Sequence, residues 1–305
     1  TDTLKTVCLV LSIALSIWFV VDRLDLSFVQ MVQMVKEDDN SRIFFLDDIN
    51  DRRYLFKQFF AGIFSVIAMT GLDQDMMQRS LACKNYRDAQ KNLIVSTVLQ
   101  TIIIFVLLVL GVILYTFAER MGITLPTGSD NMFPTVATSP AMPVIVGILF
   151  ILGLVSSTYS AAGSALTALT TSFTIDVLGG AKRFDDERLT KVRKGVHIAM
   201  AVAMFIVICT LYHLGSSNVI DAVYTLASYT YGPILGLFAF GILTKWRVRG
   251  RYVGIVAVVA PVLCFILQQN SERWFGGYKF SYELLIVNAL ITFIGLMLLI
   301  KRDQQ

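Results

Sequence analysis

Residues 93–118 read LIVSTVLQTIIIFVLLVLGVILYTFA, an apolar run that contains no Asp, Glu, Lys or Arg. A helix needs about 20 apolar residues to span the roughly 30 Å hydrocarbon layer of a bilayer, where no backbone polar group can stay unpaired. Hydrophobic residues make up 55% of the chain and charged residues 16%, with a mean hydropathy of +0.67. This composition excludes an ordinary water-facing surface and favours a membrane protein.

We predict an all-α polytopic membrane protein with eight apolar spans. The fourth span is too long for one perpendicular crossing, so it either tilts, extends beyond the bilayer or contains a break. The predicted spans are residues 4–21, 56–78, 93–118, 142–178, 196–214, 219–243, 252–268 and 282–300.

Basic residues predict the orientation of these spans. If the N-terminus lies inside, the inside loops carry the basic clusters at residues 79–91, 182–194 and 245–251. The short outside loops then carry only Arg120, Arg273 and Lys279. This asymmetry predicts that both ends of the chain lie in the cytoplasm. The sequence has no N-x-[ST] sequon, which is compatible with a bacterial cytoplasmic membrane. The net charge of +4 therefore reflects topology and gives no support for a nucleic-acid partner.

Enzyme motifs are missing from the sequence. It contains no G-x-S-x-G, H-E-x-x-H, P-loop or dinucleotide-binding pattern. The four cysteines form no C-x-x-C pair, so we predict neither a disulfide nor a metal centre of thiolates. The chain is predicted not to be an enzyme.

The fourth span carries a row of hydroxyl groups. Residues 156–176 read SSTYSAAGSALTALTTSFTID, in which Ser157, Ser160, Ser164, Thr167 and Thr171 recur every three or four residues and so share one helix face. Hydroxyls and freed carbonyls suit a hard monovalent cation, which needs about five or six oxygens in place of its water. Close packing of small residues against a neighbouring helix is the competing interpretation.

Two other polar groups interrupt the apolar spans. Asp73, Gln74, Gln78 and Arg79 end the second span, where we expect a polar network near the cytoplasmic mouth. Asp2 and Lys5 stand one turn apart at the start of the first span. That span follows Thr1 almost at once, so we expect a longer protein upstream.

Three motifs together resemble the sodium:solute symporter family. They are Thr1-Asp2 opening a span, the Asp73-Gln74-x-x-x-Gln78-Arg79-x-Leu81-Ala82 stretch followed by Asp88-Ala89-Gln90-Lys91, and the hydroxyl-rich helix that ends in Phe173-Thr174-Ile175-Asp176. The resemblance covers nearly the whole chain, and the motifs occur in the family's order.

The resemblance implies a partial leucine-transporter-like inverted-repeat fold without its first four core helices. Residues 1–22 then correspond to the fifth core helix and residues 23–55 to an outside loop. Residues 56–243 correspond to the second five-helix repeat, and residues 244–305 to two peripheral helices with a short tail. The implied function is sodium-coupled symport of a small organic solute (sugar, amino acid or carboxylate) by alternating access. A solute-sensing module of the same family is the alternative.

The resemblance also implies a sodium site on the fourth span. The family's two hydroxyl positions fall on Ser160 and Ala161, with a carbonyl contributed at Ser157. Ala161 has no hydroxyl, so either the backbone or Ser157 compensates, or Ser156 and Ser157 form the pair.

Some members of the family hold an additional sodium ion. The matching positions here are Gly163, Ser164 and Asp2, of which Ser164 and Asp2 carry suitable oxygens.

Solute contacts implied by the family fall on two segments. One is the unwound middle of the sixth core helix, residues 66–70, and the other is residues 225–231 of the tenth. Sugar-binding members present amide side chains in the first segment, whereas this chain has apolar or hydroxyl groups there, which argues against a closely glucose-like pocket. The predicted contacts are Val66, Met69, Thr70, Thr225, Ser228 and Tyr229.

Overall fold

The computed structural model describes residues 2–126, 129–214 and 219–301, and most of these residues are helical. The helices are α1 Asp2–Arg23, α2 Phe28–Glu37, α3 Leu55–Gly71, α4 Gln74–Leu81, α5 Tyr86–Arg120, α6 Met132–Ala137, α7 Val144–Ser172, α8 Gly180–Arg183, α9 Asp186–Leu214, α10 Val219–Leu243, α11 Val253–Trp274 and α12 Leu284–Leu298. The predicted all-α class is confirmed.

Eight of these helices match the predicted spans. Within the described ranges, six helices are long and apolar enough to cross a membrane, and α3 and α12 are shorter apolar helices. Six crossings of this kind make the chain a multi-pass membrane protein.

The second predicted span is not one helix. We expected residues 56–78 to be continuous, but α3 ends at Gly71 and α4 begins at Gln74. Asp73 lies between them and caps α4, because its Oδ1 accepts hydrogen bonds from the backbone N–H groups of Asp75 and Met76 at 2.8 and 3.4 Å. Hydropathy alone does not reveal this break.

The fourth predicted span contains an irregular turn at its end. The α-helix α7 stops at Ser172 and continues as a π-helical turn over Phe173–Val177. Gly179 follows with a φ of 62°, a left-handed conformation that suits glycine. The run therefore changes helix type near its C-terminal end, while its tilt and its extension beyond a bilayer stay predictions.

The predicted loop 23–55 includes a helix that the hydropathy pattern missed. Ser27 begins α2 with a capping box, in which Gln30 N–H donates to the Ser27 hydroxyl at 3.3 Å and Ser27 N–H donates to Gln30 Oε1 at 2.8 Å. This reciprocal pair satisfies the backbone N–H groups of Ser27 and Gln30 and stabilises a ten-residue helix.

The chain forms two compact units. The first comprises Thr1–Arg42 and Arg79–Asn218, and the second comprises Ile43–Gln78 and Val219–Gln305. The family-derived division at residues 22, 55 and 243 follows chain order and stays a prediction.

In the first unit, α1 and α7 pack as an antiparallel pair. A Cβ on Gly153 of α7 would lie 2.7 Å from Leu9 Cγ of α1, so only glycine allows the two backbones to approach this closely. The Ser12 hydroxyl donates to the Val146 carbonyl at 3.3 Å across the same interface. A neighbouring cluster of buried side chains from α1, α2, α5 and α6, which includes Val20, Met31, Ile113, Phe117 and Val136, completes the core of this unit.

In the second unit, a buried lysine joins the start of α3 to the loop before α12. Lys57 is 8% exposed, and its ammonium donates to the backbone carbonyls of Asp51 and Lys279, each at 3.3 Å. The same ammonium lies 3.6 Å from the centre of the Tyr278 ring. These contacts pair a buried charge with carbonyl dipoles and an aromatic face.

Candidate functional site

The N-terminal part of the hydroxyl row, from Ser157 to Ser164, lies on a regular stretch of α7. Ser157, Ser160 and Ser164 are half-buried, whereas Ala161 is exposed. The three serines are spaced at intervals of three and four residues, so an unbroken helix places them on one face. The predicted alignment of these hydroxyls is therefore supported by the helix geometry, while their role in binding an ion stays a prediction.

Helix α1 brings a lysine to this face. The Lys5 ammonium donates to the Ser160 hydroxyl at 3.3 Å. Lys5 precedes Leu9 by one turn, and Ser160 follows Gly153 by two turns, so this contact continues the same antiparallel α1–α7 interface. The sequence did not predict this interaction, because Lys5 alone resembles an ordinary charged residue at the membrane interface.

Asp2 is the first residue of α1 in the structure. Its side chain lies outside the part of the chain that the structure describes, so its predicted contact with a second ion stays a prediction. The predicted partner position Ser164 lies one turn beyond Ser160 on α7.

Near the C-terminal end of the row, Thr170, which is not one of its members, contacts a different helix. Thr170 is 4% exposed, and its hydroxyl oxygen lies 3.0 Å from His197 Nδ1 on α9 and donates to the Leu166 carbonyl at 2.6 Å. Thr167 donates to the Gly163 carbonyl within α7 at 2.8 Å. Thr167 is exposed and bonds within its own helix, so the choice between ion binding and helix packing stays open for this end of the row.

The predicted unwound segment at residues 66–70 is wrong in position. Val66, Met69 and Thr70 lie within the continuous helix α3, and the break falls later, at Leu72 and Asp73. Val66 is 62% exposed, whereas Met69 and Thr70 are half-buried. Their predicted contact with a solute is untested by this geometry.

Asp73 has a partner that the predicted network omitted. Its Oδ2 accepts a hydrogen bond of 2.5 Å from the Tyr231 hydroxyl of α10, while its Oδ1 caps α4. One carboxylate therefore fixes the helix break and ties it to α10.

The other members of the predicted network are arranged differently from our expectation. Gln78 donates to Asp75 Oδ1 at 3.3 Å, and Gln74 is exposed. The Arg79 side chain lies outside the described part of the structure. Asp73 and Gln78 therefore have separate partners rather than forming one contact.

Two of the predicted solute contacts on α10, Ser228 and Tyr229, form hydrogen bonds with other segments of the chain. Ser228 is 2% exposed, and its hydroxyl donates to the Tyr224 carbonyl at 2.9 Å and to the Tyr282 carbonyl at 3.5 Å. The Tyr229 hydroxyl donates to Gln268 Oε1 of α11. Thr225 is half-buried. Ser228 and Tyr229 are therefore already engaged by the segments that follow α10.

Comparison with known proteins identifies the family. The sequence model described as the sodium:solute symporter family matches residues 1–256. The sodium/sialic acid symporter SiaT of Proteus mirabilis is 23% identical over 233 residues, which cover 75% of this chain and 47% of the relative. The sodium/glucose cotransporter of Vibrio parahaemolyticus is 24% identical over 251 residues, covering 76% of this chain and 45% of the relative.

Vertebrate relatives and one solved structure agree with this match. Sodium-coupled monocarboxylate transporter 2 of Danio rerio is 26% identical over 205 residues, covering 64% of this chain and 32% of the relative. A structure described as the substrate-bound outward-open state of a Na⁺-coupled sialic acid symporter has a TM-score of 0.72 at 18% identity, over 100% of this chain and 63% of that chain.

The chain therefore has the fold of the matched part of that symporter, which is 63% of its length. The chain spans less than half the length of the relatives named above. Because the family match extends over most of the sequence, the chain is a member of the sodium:solute symporter family.

Proposed function

We propose that this chain functions in sodium-coupled symport of a small organic solute. The observation that carries the proposal is the half-buried serine face of α7, in which Ser157, Ser160 and Ser164 lie on a regular helix in a family member. Serine hydroxyls and backbone carbonyls replace the water shell of a monovalent cation without holding it too tightly. Relatives named for sodium coupling support this choice of ion.

We infer that the solute carries a carboxylate. Sialic acid and monocarboxylates, the solutes in the names of several relatives, are both organic acids. The α3 segment around Val66, Met69 and Thr70 offers no side-chain amide of the kind that a sugar ring pairs with. An organic anion also gains from co-transport with a cation, since the pair crosses the membrane with less net charge.

The proposed mechanism is alternating access around a central site. Each sodium ion that enters down a membrane potential of 100 mV supplies about 2.3 kcal/mol, before its concentration gradient is added. Ion binding favours the solute-competent state only to the extent that the ion binds that state more tightly. Rocking one group of helices against another then exposes the site to the opposite side.

Uptake by proteoliposomes tests this proposal. The purified chain is reconstituted, an inward sodium gradient is imposed, and uptake of radiolabelled sialic acid, lactate and glucose is measured against a choline gradient. We expect sodium-dependent accumulation of at least one of the two acids in preference to glucose. Solute binding without sodium-driven uptake would contradict symport and favour the sensing alternative.

A further inference from the structure

A proline in the middle of α10 leaves one carbonyl without its usual donor. In a regular α-helix the carbonyl of residue i accepts from the N–H of residue i+4, so Tyr229 would be paired with residue 233. That residue is Pro233, which has no N–H. At membrane depth no water replaces the missing donor, so leaving this carbonyl unpaired is strongly unfavourable.

An asparagine on α12 supplies the missing hydrogen bond. Asn288 is fully buried, and its Nδ2 donates to the Tyr229 carbonyl at 3.0 Å and to the Ser228 carbonyl at 3.1 Å. These two carbonyls belong to adjacent residues at the level of the proline, so both amide hydrogens of Asn288 are used at the helix irregularity. Turning the amide over would place Oδ1 against two carbonyl oxygens, which fixes its orientation.

The interface is shaped to admit this side chain. A Cβ on Gly232 would lie 2.5 Å from Asn288 Cβ and 2.6 Å from Nδ2, so a glycine is needed for the amide to reach the backbone. One turn later, a Cβ on Gly236 would lie 2.7 Å from Thr292 Cβ. Two glycines four residues apart are a common pattern where membrane helices approach closely.

Asn288 also buries a polar atom unfavourably, which packing against α10 does not explain. Its Oδ1 is buried and has no hydrogen-bond partner among the described residues. An apolar side chain at this position would leave no acceptor unpaired. The amide is therefore best explained by its two donors.

We propose that Asn288 is a positioning residue for solute transport. Its carboxamide replaces the backbone hydrogen bond removed by Pro233 and fixes the direction of residues 225–231 relative to the rest of α10. This inference rests on the proposed symport function, because residues 225–231 include the candidate solute contact Thr225. Within the described part of the chain, Thr225 makes no side-chain hydrogen bond, unlike Ser228 and Tyr229. It assigns a specific role to α12, which the resemblance to the family places among the peripheral helices.

Hydrogen–deuterium exchange of α10 tests the positioning role without requiring transport. Exchange is measured on the purified chain in lipid nanodiscs for the wild type, Asn288→Leu, Pro233→Ala and the double variant. Asn288→Leu keeps the number and branching of the side-chain heavy atoms but lacks the donors, so we expect about tenfold faster exchange of amides in residues 225–236. Pro233→Ala restores the N–H, so the same asparagine change should then accelerate exchange less than about twofold.

The outcomes are distinct. Equal acceleration by Asn288→Leu with and without Pro233, or no acceleration at all, overturns the proposal. Thr292→Val is the matched control, because Thr292 is fully buried on the same face of α12 but donates to the Asn288 carbonyl within its own helix. Its effect should not depend on Pro233.

Uptake measurements separate this inference from the proposed function. In proteoliposomes that accumulate sialic acid or lactate, Asn288→Leu should raise the solute KM at least fivefold and leave the sodium dependence of uptake unchanged. An unchanged solute KM overturns the positioning role even if exchange is accelerated. If the wild type shows no sodium-driven uptake, the proposed function fails, and with it the transport role, while the exchange data still decide whether Asn288 fixes the α10 irregularity.

Discussion

The Lys5 ammonium lies 3.3 Å from the hydroxyl oxygen of Ser160. A positively charged side chain therefore contacts a residue on which the family resemblance places a sodium ligand. Two cations about 5 Å apart repel by about 3 kcal/mol at an effective dielectric constant near 20. Lys5 is then expected to weaken sodium binding, which would help the ion leave the site after translocation.

Replacing Lys5 tests this electrostatic effect. We expect Lys5→Gln to lower the apparent Kd for sodium about a hundredfold, because it removes a repulsion of about 3 kcal/mol while a polar group remains. Sodium-dependent thermal stabilisation of the purified chain is the measurement. Lys91→Gln on α5 is the control, since Lys91 is exposed and its loss should change little. Weaker sodium binding in Lys5→Gln would show instead that Lys5 organises the site.

Adding a hydroxyl at residue 161 should strengthen sodium binding. The resemblance places one of the family's hydroxyl positions on Ala161, which is exposed, so a serine fits there without repacking. We expect Ala161→Ser to lower the half-activating sodium concentration several-fold, because one more oxygen becomes available to the ion. Ala162→Ser, which points about 100° away around the helix, is the control. Identical activation curves for the two variants would place the site elsewhere.

The pair formed by Asp73 and Tyr231 should stabilise the second unit. Tyr231→Phe removes only the 2.5 Å hydrogen bond to the carboxylate, so we expect the free energy of unfolding to fall by about 1–2 kcal/mol. Asp73→Ala removes this bond and the α4 cap, and its cost should be larger by about 1 kcal/mol. Chemical denaturation in detergent measures both. In the Asp73→Ala background Tyr231→Phe should have almost no effect, and additive losses would argue against a direct bond.

The buried ammonium of Lys57 should stabilise the loop before α12. Lys57→Met keeps the length of the side chain but loses two hydrogen bonds and the contact with the Tyr278 ring, which should cost about 1–3 kcal/mol. Lys279→Met is the comparison, because its ion pair with Glu272 at 3.5 Å is exposed and contributes little. Equal unfolding midpoints for the two variants would refute the difference in burial as the cause.

Hydropathy predicted the helices well because lipid solvation acts on every residue of a span. It did not predict the break at Leu72 and Asp73, since a cap depends on one carboxylate and its backbone partners rather than on average hydrophobicity. The signal for α2 was present as Ser27-x-x-Gln30, a capping-box pattern inside a stretch interpreted as loop.

Contacts of individual polar residues were harder to predict than the helices. In a helix that is apolar on all sides, periodicity does not tell which neighbour a residue faces, so the engagement of Ser228 and Tyr229 with later segments was not foreseen. Asn288 could have been found as an amide inside an apolar span, where polar residues are costly and commonly have a specific partner. Its relation to Pro233 required the tertiary structure.

Direct binding of ²²Na⁺ to the purified chain tests the serine face most directly. We predict saturable binding by the wild type, a loss of about tenfold or more in affinity for Ser160→Ala and for Ser164→Ala, and no change for Thr158→Val, whose exposed hydroxyl donates to the Leu154 carbonyl of its own helix at 2.9 Å. Equal sodium affinity in all four proteins, or no saturable binding by the wild type, would contradict a sodium site on α7.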